Sequence, residues 1–135
     1  MVYAPQLPAT GLAQYCYRDM FDNCSSLVNA PELPATTLAN YCYLFMFYGC
    51  KSMKVAPYLP ATVTNIGCYN DMFADCSNLS SVTVNFRQWP SGSVAYFTDG
   101  WLSNVAANGK FTKPSSLSTV FGNNYIPSGW TVVNK

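Results

Sequence analysis

The chain contains no histidine. That removes Ser/His/Asp and Cys/His catalytic arrangements, histidine-ligated metals and the usual acid/base group near neutral pH. Charge is almost as scarce, with only 10% of residues Asp, Glu, Lys or Arg. Seven basic residues against six acidic ones leave a net charge of +1, so there is no basic field of the kind that nucleic acid or an anionic membrane requires. Long apolar runs are missing too. Half of the residues are hydrophobic, but Pro, Asn, Ser and Gly break them up everywhere, and nothing approaches the roughly 20 apolar residues of a membrane span. Membrane insertion and a nucleic-acid partner are therefore not expected. The opening Met-Val-Tyr-Ala-Pro-Gln has neither the positive n-region nor the apolar h-region of a secretory signal, so no signal peptide is read on this chain. At 135 residues it has room for one core of ordinary size.

What is present is a repeat. Units of 26 residues open at Ala4, Ala30 and Ala56, each beginning Ala-Pro-x-Leu-Pro-Ala-Thr and continuing to Cys-Tyr-x-x-Met-Phe-x-x-Cys at Cys16 to Cys24, Cys42 to Cys50 and Cys68 to Cys76. The first two units share 15 of 26 residues and the second and third share 11, and all six cysteines belong to the repeat. A fixed period of this length indicates units that cannot bury an apolar face alone and stack on their neighbours. Three coils are expected, at residues 4–29, 30–55 and 56–81, with the start of a cap at 82–86.

Cys42, Met46 and Cys50 lie four apart with Phe47 alongside, and Cys16, Met20, Cys24 and Phe21 repeat the pattern, which predicts a short helix in each unit. Asn23, Gly49 and Asp75 tolerate the left-handed conformation that ends a helix. Pro5, Pro8, Pro31, Pro34, Pro57 and Pro60 cannot donate to a sheet ladder, so the following segment is expected to run extended, with brief parallel pairing at residues 27–30 and 53–56. Leu79-Ser-Ser-Val-Thr-Val-Asn-Phe86 drops the prolines, so Val82, Thr83 and Val84 can pair fully. Beyond it, residues 87–135 read as a mainly β C-terminal cap, with a hairpin turning at Asn108-Gly109 between residues 103–107 and 110–113 and a last strand at residues 130–133. No cap precedes Ala4. The bare first coil is consistent with a fragment of a longer array and with self-association through that face.

Met46-Phe47-Tyr48-Gly49-Cys50-Lys51-Ser52-Met53 resembles the Ala-Phe-x-x-Cys-x-x-Leu core of BspA-like leucine-rich repeats. The Ala-Pro-x-Leu-Pro-Ala-Thr variant is similar to forms in surface proteins of gut Bacteroidales and in their phages. The likeness covers residues 4–86 closely. It implies an α/β fold, a short right-handed leucine-rich-repeat solenoid, placed outside the cell or on a virion and used for adhesion or receptor binding, not for catalysis. The 26-residue unit and the double proline depart from the family's pattern.

The cysteines read as reduced core residues. Each ladder of three strands one member if paired, pairing within a unit would span about 12 Å of helix, and zinc wants shorter ligand spacings. No metal, cofactor or catalytic residue is expected. Asp19 and Asp71 occupy equivalent positions two coils apart but have Phe45 between them in the middle coil, and they read as solvated acids before they read as a glycosidase pair. Tyr15, Tyr17, Tyr41, Tyr43 and Tyr69 offer a stacking platform for sugar rings, but Tyr17, Tyr43 and Tyr69 recur in every unit, as a structural ladder would, and that is the favoured reading.

Positions that differ between copies are candidates for contact. Leu44, Phe45 and Tyr48 of the middle unit, flanked by Arg18, Asp19, Asn70 and Asp71, have the composition of a contact patch; the alternative is a half-buried side of the coil. Glu32 and Tyr58 vary in a second column with Gln6. The expected function is a non-enzymatic binding or adhesion module for a cell-surface glycan or protein. A spacer or assembly domain is the other reading.

Overall fold

The structure, a computed structural model, describes residues 3–90 and 96–135. Met1 and Val2, which stand in the place of Leu27 and Val28, lie outside the described residues. Three short parallel strands form one sheet in the order β1-β2-β3: β1 (Ser81–Thr83), β2 (Lys110–Lys113) and β3 (Thr131–Asn134). Their registers run Val82 on Phe111 and Phe111 on Val132. Single parallel bridges at Tyr3–Asn29 and Val55–Ser81 extend the same column toward the N-terminal units. Along residues 56–63 the proline segments make only isolated bridges, Leu59–Val84 and Thr37–Val63, as residues without an N–H donor require.

The expected α/β leucine-rich-repeat solenoid is overturned, because there is no helix among the described residues and the regular sheet is confined to three short strands. Where a short helix was expected, across Cys16 to Cys24, Cys42 to Cys50 and Cys68 to Cys76, the chain is an unbroken run of turns, at residues 14–23, 40–49 and 66–75. Its hydrogen bonding alternates. The amides of Cys16, Arg18, Met20, Asp22 and Cys24 donate three residues back, to Ala13, Tyr15, Tyr17, Asp19 and Phe21. Those between them, Tyr15, Tyr17, Asp19, Phe21 and Asn23, donate to the carbonyls of Asn40, Cys42, Leu44, Met46 and Tyr48 in the next unit. The middle unit bonds to the third in the same way, and Gly67 to Asp75 bond onward to residues 96–103.

Alternate turns carry their third residue at positive φ, as a type II turn demands. These are Tyr15, Asp19 and Asn23, then Tyr41, Phe45 and Gly49, then Gly67, Asp71 and Asp75, with Gly100 and Asn104 beyond. Asn, Asp and Gly fill eight of these eleven places because they tolerate the left-handed region best. The period is therefore four residues, two in and two out: Cys42 and Tyr43 point inward, Leu44 and Phe45 outward, Met46 and Phe47 inward again.

Inward residues build ladders along the stack. Phe21, Phe47 and Phe73 lie ring on ring at 5.5 and 5.6 Å, and Tyr17, Tyr43 and Tyr69 at 6.0 and 6.1 Å. Tyr69 then meets Trp101, at 6.0 Å, within a cluster that includes Phe86, Trp89, Phe97 and Phe111. Each indole N–H finds a carbonyl: Trp89 donates to Ser118, Trp101 to Tyr125 and Trp130 to Ala106.

The expected C-terminal hairpin is likewise corrected. Residues 110–113 pair in parallel with β1 and β3, so the chain after Phe86 continues the parallel stack with wider and narrower loops. The paired positions Val55 and Ser81 are 26 residues apart, Ser81 and Lys110 29, and Lys110 and Thr131 21. Gly109 serves close approach and makes no hairpin turn: a Cβ there would stand 2.7 Å from the Ser80 carbonyl and 2.5 Å from the Trp130 ring.

Candidate binding surface

The candidate residues fall on two faces. Arg18, Asp19, Leu44, Phe45, Tyr48, Asn70 and Asp71 all lie on the outward side of the turn ribbons, because each occupies one of the two outward places in the four-residue period. Glu32 and Tyr58 lie elsewhere, on the face built by the proline segments.

On the turn face the aromatic residues of the middle unit are half-buried and engaged with one another. Phe45 and Tyr48 meet edge to face at 5.7 Å, Tyr15 stacks on Tyr41 at 5.2 Å, and Arg18 lies 5.4 Å from the Tyr15 ring centre and pairs with Asp19 at 3.1 Å. Polar residues of the third unit are tied to the next: Asn70 accepts from the Asp99 amide at 2.9 Å, and Asn104 donates to Asp75 at 2.7 Å. The Asn104 and Tyr48 hydrogen bonds hold the Asp75 carboxyl below its ordinary value, while the same contact raises the Tyr48 phenol. Partial burial, with the Asp99 charge beside it, pushes Asp71 up. This face is knitted together by its own contacts.

The proline face is concave. Pro31, Glu32, Pro34, Pro57, Tyr58 and Pro60 line a groove of about 390 Å³. It continues past Glu32 and Pro34 into a second hollow of about 470 Å³ against Gln6, Leu7 and Pro8. On the other side it passes Ala30 and Pro57 toward Val28, Lys54 and Val55. The walls are stiff because proline fixes φ and the segments cannot pair regularly, so the same feature that prevents a sheet here creates the hollow. Tyr58 is 47% exposed above it. The Lys135 ammonium donates to the Tyr58 hydroxyl at 3.1 Å and sits 4.6 Å from the ring centre, which holds the ring in one orientation. Variation between units pointed to Gln6, Glu32 and Tyr58; nothing in the sequence signals Lys135, which lies 77 residues from Tyr58.

The six cysteines are free thiols, with Cys16 exposed, Cys24 half-buried and the other four buried. Burial pushes the thiols of Cys42, Cys50, Cys68 and Cys76 up to about 12. Cys50 and Cys76 donate to the carbonyls of Phe21 and Phe47, one unit back. Among the described residues no three His, Cys, Asp or Glu side chains group as metal ligands, and no helix is long and apolar enough to cross a membrane.

No family model, no curated protein and no solved structure matches this chain.

Proposed function

We propose that the chain is a non-enzymatic binding module, carried outside a bacterial cell or on a phage tail, that takes a cell-surface glycan or protein into the proline-walled groove below Tyr58. One observation carries this reading: the exposed Tyr58 ring is contacted by Lys135 beside a continuous hollow shared by all three units, which the exposed Glu32 carboxylate also lines. An aromatic plane held in place and a few polar groups on stiff walls are what a preorganised contact surface needs, because little side-chain freedom is lost on binding. The resemblance of residues 46–53 to BspA-like repeats supports the extracellular placement, and the lack of histidine supports a role without catalysis.

The test is labelled protein incubated with a panel of gut bacteria, acapsular variants of them and epithelial cells, read by flow cytometry. Strain-restricted staining that falls at least tenfold in Tyr58→Ala and Glu32→Gln, and persists in Leu44→Ser and Phe45→Ser, is the expected result. Loss in the Leu44 and Phe45 variants alone moves the contact to the turn face, and lost assembly in those variants favours the spacer reading. Polysaccharide cleavage that disappears in Asp19→Asn or Asp71→Asn overturns the non-enzymatic reading.

A further inference from the structure

Each unit sets one exposed residue between its two groove prolines, Gln6, Glu32 and Tyr58 in turn, and these stand in a column along the stack. The column runs on past Tyr58, because the Leu59–Val84 bridge and the registers of β1, β2 and β3 bring Thr83, Thr112 and Val133 into line with it. Glu32 is its single charge. It is also the only charged side chain lining either the groove of about 390 Å³ or the hollow of about 470 Å³ that continues it, and it lines both. Lys54 belongs to the neighbouring hollow toward Val28, and Lys135 contacts Tyr58 without lining the groove.

Resting on the groove reading proposed above, we infer that the ligand is an amino-sugar glycan, a chain of pyranose units with unsubstituted amino groups, laid along the stack with one ammonium against Glu32. Charge complementarity sets the sign, since a single carboxylate among neutral walls attracts a cation. A divalent metal does not fit. Calcium needs about six to eight oxygens, and among the described residues no three His, Cys, Asp or Glu side chains group together. An extended peptide fits poorly too, because a strand added to the stack needs a run of N–H and C=O groups, and Pro31, Pro34, Pro57 and Pro60 have no N–H to give. The repeat along the stack points the same way. Parallel coils lie about 4.8 Å apart, and the phenylalanine rings of successive units stand 5.5 and 5.6 Å apart. That step is close to the length of one pyranose unit, whereas an extended peptide sets its same-side residues about 6.7 Å apart. A sugar chain laid this way rests the C–H face of one ring on Tyr58, which is 47% exposed, while the ammonium of a neighbouring unit meets Glu32 one coil away. One exposed ion pair supplies little alone, so contacts repeated from coil to coil supply the rest.

The test is an NMR titration of the isotope-labelled full chain, read at the amides of Glu32, Leu33, Tyr58 and Leu59, with three probes: the β-1,4-linked hexamer of glucosamine, the same hexamer fully N-acetylated, and hexalysine. The expected result is saturable shifts at those amides, with the glucosamine hexamer bound about threefold or more tighter than the N-acetylated one, the size an exposed ion pair supplies. In Glu32→Gln the two hexamers are expected to bind alike, with the shifts of residues away from the groove unchanged. Equal affinity for the two hexamers in the parent protein overturns the inference, as does an advantage for glucosamine that survives in Glu32→Gln. Hexalysine bound as tightly as the glucosamine hexamer assigns the cation to a peptide and also overturns it. Binding of neither hexamer overturns it too, and cell staining then separates the two readings: staining that still falls in Tyr58→Ala leaves the groove as the contact surface for another ligand, whereas staining that persists there removes the groove reading itself.

Discussion

The ring of Tyr41 lies directly on the backbone of Gly67, so close that a Cβ added to the glycine would stand 2.2 Å from the ring carbons. Gly67 is also one of the left-handed positions, at φ 65°. The place that holds tyrosine in the first two units must therefore be glycine in the third, since Tyr15 stacks on Tyr41 and Tyr41 leans onto the unit that follows.

Gly67→Ala is expected to lose about 1–3 kcal/mol, from the left-handed conformation together with the displaced ring. Gly11→Ala, where nothing lies within 4 Å of the added carbon and φ is not positive, is expected to be neutral or slightly stabilising. Thermal melts of the two variants beside the parent protein decide it; equal melting temperatures for both would show that the ring moves aside freely.

Tyr69 is fully buried and its hydroxyl has no hydrogen-bond partner among the described residues. A buried hydroxyl left unmatched costs about 1–3 kcal/mol. Tyr69→Phe keeps the ring contacts with Tyr43 and Trp101 and removes that group, so the variant is expected to be more stable by about 1 kcal/mol in urea denaturation. A loss of stability would mean that the hydroxyl has a partner in solution.

Alkali should unfold the protein. In the folded chain, burial holds the thiols of Cys42, Cys50, Cys68 and Cys76 at about 12, against about 8.5 in an unfolded chain. Above pH ~8.5 the unfolded chain binds fewer protons than the folded one, so stability is full below that pH and falls as pH rises toward ~12. The slope is up to about 1.4 kcal/mol per pH unit for each thiol. Denaturation midpoints measured from pH 7 to 11 are expected to drop progressively, and less steeply in Cys50→Ala. A flat profile would mean that these thiols are not sealed from water.

Thiol reactivity at neutral pH should follow the same ordering. Cys16 is expected to react with Ellman's reagent at once, Cys24 more slowly and the four buried thiols only on unfolding, with all six titrating in denaturant without reductant. Fewer than six in denaturant would reveal a disulfide.

The repeat was legible because identity at one period leaves few alternatives, and the prolines correctly announced that residues 30–37 and 56–63 would not form regular strands. The helix was misread for a specific reason. Cys42, Met46 and Cys50 share a face at a period of 3.6 and equally at a period of 4, so apolar spacing over two turns does not separate the two. The distinguishing signal was polar: Asp19 and Asn23, then Gly67, Asp71 and Asp75, set a left-handed-tolerant residue at every fourth place, where a helix would have at most one, at its end. Asn23, Gly49 and Asp75 do adopt positive φ, as periodic members of the ribbon. Of the surface, variation between units found Glu32 and Tyr58, but it could not show that Leu44, Phe45 and Tyr48 would be half-buried, with Phe45 and Tyr48 packed edge to face. After Phe86 the sequence motif disappears while the parallel register continues, and stacking by backbone alone leaves nothing for a pattern to detect.

The one-way hydrogen bonding of the ribbons also bears on how such a chain is made. Synthesis runs from the N-terminus, so the first ribbon emerges with its onward amides pointing at carbonyls that do not exist until another 25 residues have been added. Each unit is finished by its successor, and the third unit is finished only once residues 96–103, which include Trp101, have been added. A nascent chain stalled after two units would hold a complete sequence motif twice over and a completed ribbon only once.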